Sequence, residues 1–336
     1  MYICSMKRMA VFAGILMMLT LVSCDNELDL VSDWKEIPVV YGFLSRSDTA
    51  QYIRVEKAFL DPATSAFVIA KNPDSLYFQD AIVQLEDMTT GNKVTLTRVD
   101  GNLEGYPRAA GVFATPPNYL YKIRTEDAMI FPDRSYRLTV SDPAGRLITS
   151  TTTNVVGDYT FTFSSPPEKI TFLYGSSVSI GWRSNENTAF FYDVTMRVHI
   201  EETQTGNPPV KKVLEWPIEK NILRGTSKNI NTFVPGAAFY QFLSSQLDPL
   251  PNVSREFQFI EIQVDAGGKE IYDFLSVGQA NSGITGAEYV ASYSNIDNGF
   301  GLFSSRYSLV GKNFTLTDQS LDSLRNGIYT KDLNFN

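Results

Sequence analysis

Ala81-Ile82-Val83-Gln84-Leu85-Glu86, then Thr89-Thr90-Gly91-Asn92, then Val94-Thr95-Leu96-Thr97 is the stretch on which the fold reading turns. Ala81, Val83 and Leu85 alternate with Ile82, Gln84 and Glu86. This is the period of two that sends successive side chains to opposite faces of a strand. A glycine-bearing turn between two such runs makes a β-hairpin. The same pattern lies on both sides of it. Upstream, Val39, Tyr41 and Phe43 alternate with Val40, Gly42 and Leu44, and Tyr52-Ile53-Arg54-Val55-Glu56 continues the style. Downstream, the turns Pro132-Asp133-Arg134-Ser135 and Asp142-Pro143-Ala144-Gly145 bracket Tyr136-Arg137-Leu138-Thr139-Val140. Leu147-Ile148-Thr149 then leads into the threonine run 151–153. Short strands separated by turn signals predict a β-sandwich. Tyr136, entering a strand just past a corner, resembles the tyrosine corner of immunoglobulin-like folds.

A second unit begins near Asp158. Val178-Ser179-Ile180-Gly181-Trp182, a polar turn (Ser184-Asn185-Glu186-Asn187) and Phe191 to Val198 are similar to the central strand pair of a fibronectin type III domain. Trp182 is expected in its core, because an aromatic of that size removes well over 100 Å² from water when buried. Helices interrupt this unit. Phe239, Phe242, Leu243 and Leu247 form one helical stripe within Pro235 to Asp248, and Pro249 and Pro251 end it. Lys269 to Val277 is a second candidate helix. Asp318 to Arg325 is a third, with Thr317 in the N-cap position. The expected fold is therefore mainly β: two immunoglobulin/fibronectin-like β-sandwich domains, residues 37–156 and 157–336, the second with short helical insertions.

The N-terminus reads differently. Lys7 and Arg8 precede the apolar run Met9 to Leu21, and Leu21-Val22-Ser23-Cys24 follows. Basic, apolar and small-residue parts in that order make a secretory signal peptide. The run is shorter than the ~20 residues a membrane-spanning helix needs. Leu-Val-Ser-Cys resembles the bacterial lipobox, which implies removal of residues 1–23 and lipid on Cys24. The only other cysteine, Cys4, lies in the segment removed, so no disulfide is expected. Residues 24–36 then form an acidic tether. Asp25, Glu27 and Asp29 in it resemble an export signal for the outer face of the outer membrane, or serve as charges that keep a solvated tether extended.

Loss of the two positive charges of Lys7 and Arg8 takes the formal charge from −8 to −10. So acidic a body points away from nucleic acid, and 43% hydrophobic residues is not a disordered composition. Catalytic signatures are sparse. The chain has one histidine, His199, so no HExxH zinc site or multi-histidine site can form. In Met196-Arg197-Val198-His199-Ile200 it shares a strand face with Thr195 and Arg197, a solvated position. There is no GxSxG, P-loop or GxGxxG motif. Carboxylate pairs of the glycosidase kind are made in space, and nothing in the sequence nominates one. Asn295, Asp297 and Asn298 lack EF-hand spacing and read as a turn. Tyr119-Leu120-Tyr121 and Phe190-Phe191-Tyr192 are the densest aromatic clusters. They read as core ahead of the alternative, a platform of exposed rings stacked on sugar faces. The chain is expected to be non-catalytic, with no cofactor and no metal.

Several pieces taken together resemble one family. They are the lipobox with its acidic tether, Val39-Val40-Tyr41-Gly42-Phe43-Leu44, Ala81 to Asp87, Tyr136 to Val140, and Tyr293-Ser294-Asn295-Ile296-Asp297-Asn298-Gly299-Phe300-Gly301-Leu302-Phe303. These are similar to the Bacteroidota lipoproteins of domain-of-unknown-function family 4249. The resemblance implies an accessory role beside a TonB-dependent outer-membrane receptor in nutrient uptake, with lipid on Cys24 as the membrane anchor. It carries no catalytic or ligand-binding residues over. A structural or adhesive envelope role, contacting a protein partner or a glycan, is the alternative expectation.

Overall fold

A computed structural model describes residues 36–58, 65–162, 169–184, 188–281 and 292–336. The first half of the chain forms β1 (Ile37–Ser45), β2 (Ala50–Ala58), β3 (Ile82–Asp87), β4 (Lys93–Thr95), β5 (Thr97–Asp100), β6 (Tyr119–Arg124), β7 (Ser135–Ser141) and β8 (Leu147–Asn154). The second half forms β9 (Tyr159–Phe161), β10 (Lys169–Ile170), β11 (Ser177–Ser184), β12 (Phe191–Gln204), β13 (Val210–Leu223), β14 (Asn229–Pro235), β15 (Val253–Gly267) and β16 (Phe300–Leu316). The molecule is mainly β, as the alternation requires.

One nine-stranded sheet runs through both halves in the order β13-β12-β15-β16-β1-β2-β6-β5, with β10 added against β16. Its middle is a parallel pair, β1 against β16, in register from Val39↔Phe300 to Ser45↔Arg306. Two smaller sheets, β4-β3-β7-β8 and β14-β11-β9, complete the layers. The register places both on the same face of the large sheet. Partnered residues point the same way, so Gly42 and Phe303 share a face, as do Val264 with Leu309 and Ala266 with Tyr307. Phe303 packs with Val40, Leu44, Tyr136 and Leu138 in one core. Tyr307 and Leu309 pack against the other, which holds Trp182, Tyr192, Met196 and Phe239. The first core draws on residues 40–155 plus Ile296 and Phe303, and the second on residues from Val156 onward. The chain passes from one to the other across β16, where Ser305 Oγ accepts from the Val156 N–H (3.0 Å) and donates to the Asn154 carbonyl (2.6 Å).

Local patterns behave as the alternation predicts. In β12, Val194, Met196, Val198 and Ile200 are buried while Thr195, Arg197 and His199 face the other way. Trp182 is fully buried, its ring 5.3 Å from that of Tyr192. The 82–95 hairpin forms, with Gly91 at φ 75°, a backbone conformation that favours glycine. Its second strand is shorter than expected. Leu96 turns inward after Thr95, and Thr97–Asp100 joins the large sheet as β5. The chain thus steps from one layer to the other at a single buried leucine.

The three expected helices occupy Gly236–Gln246, Lys269–Asn281 and Asp318–Asn326, and single helical turns form at Ala66–Ile69, Pro73–Leu76 and Thr125–Ala128. Phe239, Leu243 and Leu247 are buried, as the stripe requires. Thr317 holds the N-cap position, but its side chain accepts no backbone N–H. Its hydroxyl lies 3.1 Å from Ser320 Oγ, and Ser320 in turn accepts from the Phe172 N–H at 2.8 Å. That contact ties the helix to the core and takes the place of the cap.

Tyr136 is fully buried and makes the corner. Its hydroxyl donates to the Met129 carbonyl (2.9 Å) and accepts from the Phe131 N–H (2.9 Å). Tyr136→Phe keeps the ring and strands both backbone groups, so a loss of about 2 kcal/mol is expected. Urea unfolding of the variant against the parent checks this, and an unchanged midpoint would refute the corner.

Candidate functional site

Cys24, Asp25, Glu27 and Asp29 lie outside the described residues. Among the described residues no helix is long and apolar enough to cross a membrane, which says nothing of strands. Nor do three His, Cys, Asp or Glu side chains among them converge in a group suited to a metal ion.

The small sheets cover one face of the large sheet, and the site lies on the other. On β1 this face carries Val39, Tyr41 and Phe43, and on β2 it carries Ala50, Tyr52, Arg54 and Glu56. Ala50 is the small member of the row. Beside it opens a cleft of about 250 Å³ walled by Tyr41, Phe43, Tyr52 and Tyr106. Tyr106 comes from the loop between β5 and β6, and its ring lies 4.7 Å from that of Tyr52 at 53°. The loop is held by Asn118, whose amide donates to the Tyr106 carbonyl at 2.8 Å and whose oxygen accepts from Arg54 at 2.9 Å. Arg54 also pairs with Glu56 at 2.9 Å, and Arg108 closes on the same carboxylate. Lys122 pairs with Glu104 at 2.6 Å, and Glu104 accepts from the Tyr52 hydroxyl at 2.8 Å.

The mouth of the cleft is an ion pair. Arg306 on β16 lies 2.9 Å from Asp48 in the β1–β2 turn, and the two side chains remain 57% and 41% exposed. The pair thus keeps unused donor and acceptor positions facing solvent, while Arg54 is already held by Glu56 and Asn118. Three exposed or half-buried tyrosine rings, a guanidinium and a carboxylate in one cleft can hold a ligand that is partly apolar and partly hydroxylated.

Across the same face the charges pair among themselves. Arg197 meets Glu215 (2.9 Å) and Glu261 (2.8 Å). His199 sits here, as expected from β12, stacked on Phe259 with ring centroids 4.1 Å apart and planes 16° from parallel. Burial lowers its pKa first. Glu261 opposes that shift, while Arg197 and Lys312 add to it. With the folded value below the ordinary ~6.5, the neutral ring is favoured in the native state. Its contribution to stability is present above ~6.5 and is lost as pH falls through the folded value. The lone histidine gives one Cε1 proton resonance, which is expected to titrate with a midpoint below ~6.5. Glu261→Gln should lower the midpoint further, and a midpoint above 6.5 would contradict the stacking.

The remaining candidates are structural. Asn295 spends its amide on β16, donating to the Phe303 carbonyl (2.7 Å) and accepting from the Phe303 N–H (3.0 Å). Asp297 accepts from Thr149 and Ser150, and the Asn295 carbonyl accepts from Thr151. Asn298 sits at φ 53° in the turn. The threonine-rich strand β8 is thereby explained as a row of hydroxyls clamping a loop about 145 residues away. Leu120, Tyr121, Phe191 and Tyr192 are buried, as the core reading expects, while Tyr119 and Phe190 are half-buried. The sequence nominates none of the cleft residues Asp48, Tyr52, Tyr106 and Arg306 for a binding site. Tyr41 and Tyr52 were visible only as strand residues, and no local signal joins them to Arg306.

No curated protein shows significant similarity to this chain. Among solved structures, the C-terminal globular domain of an oligosaccharyltransferase from Pyrococcus abyssi is 8% identical. The match covers 67% of this chain and 45% of that one, with a TM-score of 0.23. The chain thus spans less than half the length of that relative. CBD12 from CALX1.2 is 10% identical, with 83% and 99% covered and a TM-score of 0.19. Likenesses this distant carry no argument about the cleft. The family described as Domain of unknown function (DUF4249) matches residues 26–307, and the chain belongs to that family.

Proposed function

We propose that this protein is a lipoprotein held by lipid on Cys24 to the outer membrane, facing the cell exterior. It works there as a non-catalytic binding or accessory subunit of a TonB-dependent nutrient uptake system. The observation that carries the reading is the N-terminal sequence. Lys7-Arg8, the apolar run to Leu21 and Leu21-Val22-Ser23-Cys24 are followed at once by Asp25, Glu27 and Asp29. A tether of residues 24–36 reaches at most about 45 Å when extended, which lets the body stand clear of the bilayer. The aromatic cleft on the sheet face opposite the small sheets supports a capture role, since ligand sites combine apolar walls with a few placed polar groups.

Gentle detergent extraction of the tagged lipoprotein from native outer membranes, followed by mass spectrometry, tests the reading. A stoichiometric TonB-dependent receptor is the expected companion. Recovery of the lipoprotein alone, with the body accessible to surface labelling, would replace the uptake role by the adhesive or structural one.

A further inference from the structure

We infer that the cleft walled by Tyr41, Tyr52 and Tyr106 is a subsite for one ring of a neutral saccharide. The inference rests on the capture reading of this face and names its ligand class.

Shape comes first. Tyr41 is 41% exposed and Tyr106 is 52% exposed, a large share for rings that stand on either side of a recess. Ala50 and the Gly42 backbone leave the floor open between them. At about 250 Å³ the cleft falls below the roughly 300–1,000 Å³ of sites that enclose a whole small molecule. It suits one ring of a longer ligand lying along the sheet face. The walls are aromatic rings, which attract flat, weakly polarised C–H surfaces by dispersion.

Charge decides between ligand classes. Arg54 and Arg108 share the one carboxylate of Glu56, and Arg54 is also spent on Asn118, while Arg306 is paired with Asp48. The charges a ligand meets at the mouth are therefore Arg306 and Asp48. A phosphate or carboxylate ligand would sit beside Asp48, and an ammonium beside Arg306, so each would meet a like charge at the mouth. A wholly apolar ligand would cover the exposed Arg306–Asp48 pair and remove it from water without compensation. A sugar ring avoids all three penalties. Its C–H face lies on tyrosine, and adjacent hydroxyls accept from the guanidinium and donate to the carboxylate, using the positions the ion pair leaves free.

The test uses the mature lipoprotein in detergent, titrated calorimetrically with maltotriose, cellotriose, xylotriose, mannotriose and chitotriose. Inorganic phosphate and the tripeptide Gly-Phe-Gly serve as comparators. At least one saccharide is expected to bind. Tyr41→Ala and Tyr106→Ala, both at exposed rings and so harmless to folding, should each weaken it at least tenfold. Arg306→Ala should weaken it as well. Phe233→Ala, an exposed ring on the small sheet β14-β11-β9, should leave it unchanged. Three results overturn the inference: no saccharide binds, phosphate or the tripeptide binds in its place, or the tyrosine variants bind as the parent does. Receptor co-purification is read separately. Saccharide binding without a receptor keeps this inference and removes the uptake role, whereas a receptor without saccharide binding does the reverse.

Discussion

Gly301→Ala is expected to cost about 4 kcal/mol or more, at the upper end of what single substitutions do. Gly301 lies in the sequence Asn298-Gly299-Phe300-Gly301 at φ 123°, a region that strains any residue with a Cβ. Its partner in the parallel ladder is Val40. A Cβ built there would stand 1.9 Å from the Val40 carbonyl oxygen and 2.8 Å from its carbon. Both obstacles are backbone, so no rotamer change relieves them. The strands must separate, and the pairs from Val39↔Phe300 to Ser45↔Arg306 go with them. That ladder is where the two halves of the chain share one sheet, flanked by Val40, Leu44 and Phe303, all fully buried. Backbone strain of about 1–3 kcal/mol therefore adds to lost pairing and packing. Gly225→Ala makes the control, because nothing lies within 4 Å of the added carbon there. Chemical unfolding of both variants decides the matter. A Gly301 variant within 1 kcal/mol of the control would mean that β1 and β16 do not approach as closely as this.

Much of the layer structure could be read from period-two alternation, because one buried face writes itself into each strand separately. The strands around Val194 to Ile200 and Tyr136 to Val140 carry their own face assignment, and the Tyr136 corner needed only its position after a turn. What alternation does not encode is which strand lies beside which. The β1–β16 pairing joins residues about 260 positions apart, and nothing in Val39 to Leu44 points to Phe300 to Arg306. The two expected sandwiches therefore came into view as two cores, while the sheet they share did not. The cleft was hidden for the same reason. Arg306 and Asp48 are 258 residues apart. Tyr106 reaches Tyr52 because Asn118, Arg54 and the Arg108–Glu56 pair hold its loop against the sheet. Read singly, those residues are ordinary strand and loop members.

Arg255→Ala should cost about 3–5 kcal/mol, the loss that follows when one partner of a buried ion pair is removed. The side chain is 1% exposed, and all three guanidinium nitrogens are used. Nε donates to Glu202 (3.1 Å), Nη1 to the Leu333 carbonyl (2.7 Å) and Nη2 to the Asp248 carbonyl (3.0 Å). The backbone of Arg255 holds the C-terminus too, accepting from the Asn336 N–H and donating to the Asn334 carbonyl, each at 2.9 Å. Truncation leaves the buried Leu333 carbonyl unpaired, takes one of two donors from the Asp248 carbonyl, and leaves Glu202 facing only Lys212 at 2.8 Å. Burial by itself pushes the Glu202 pKa up, and the bonds from Lys212 and Arg255 more than reverse this, holding it below the usual carboxylate range. The stabilisation is therefore present above the unfolded value of ~4.3 and is lost as pH falls through the folded one. Two readouts separate the ion pair from the fixing of the tail. Arg255→Met keeps most of the buried stem, so it should lose less than alanine while still flattening the acid limb of the stability profile. Hydrogen exchange over residues 331–336 should rise in both variants, because neither can reach the Leu333 carbonyl. A tail as protected as the parent's would show that Phe335, packed in the second core, holds the C-terminus without the arginine.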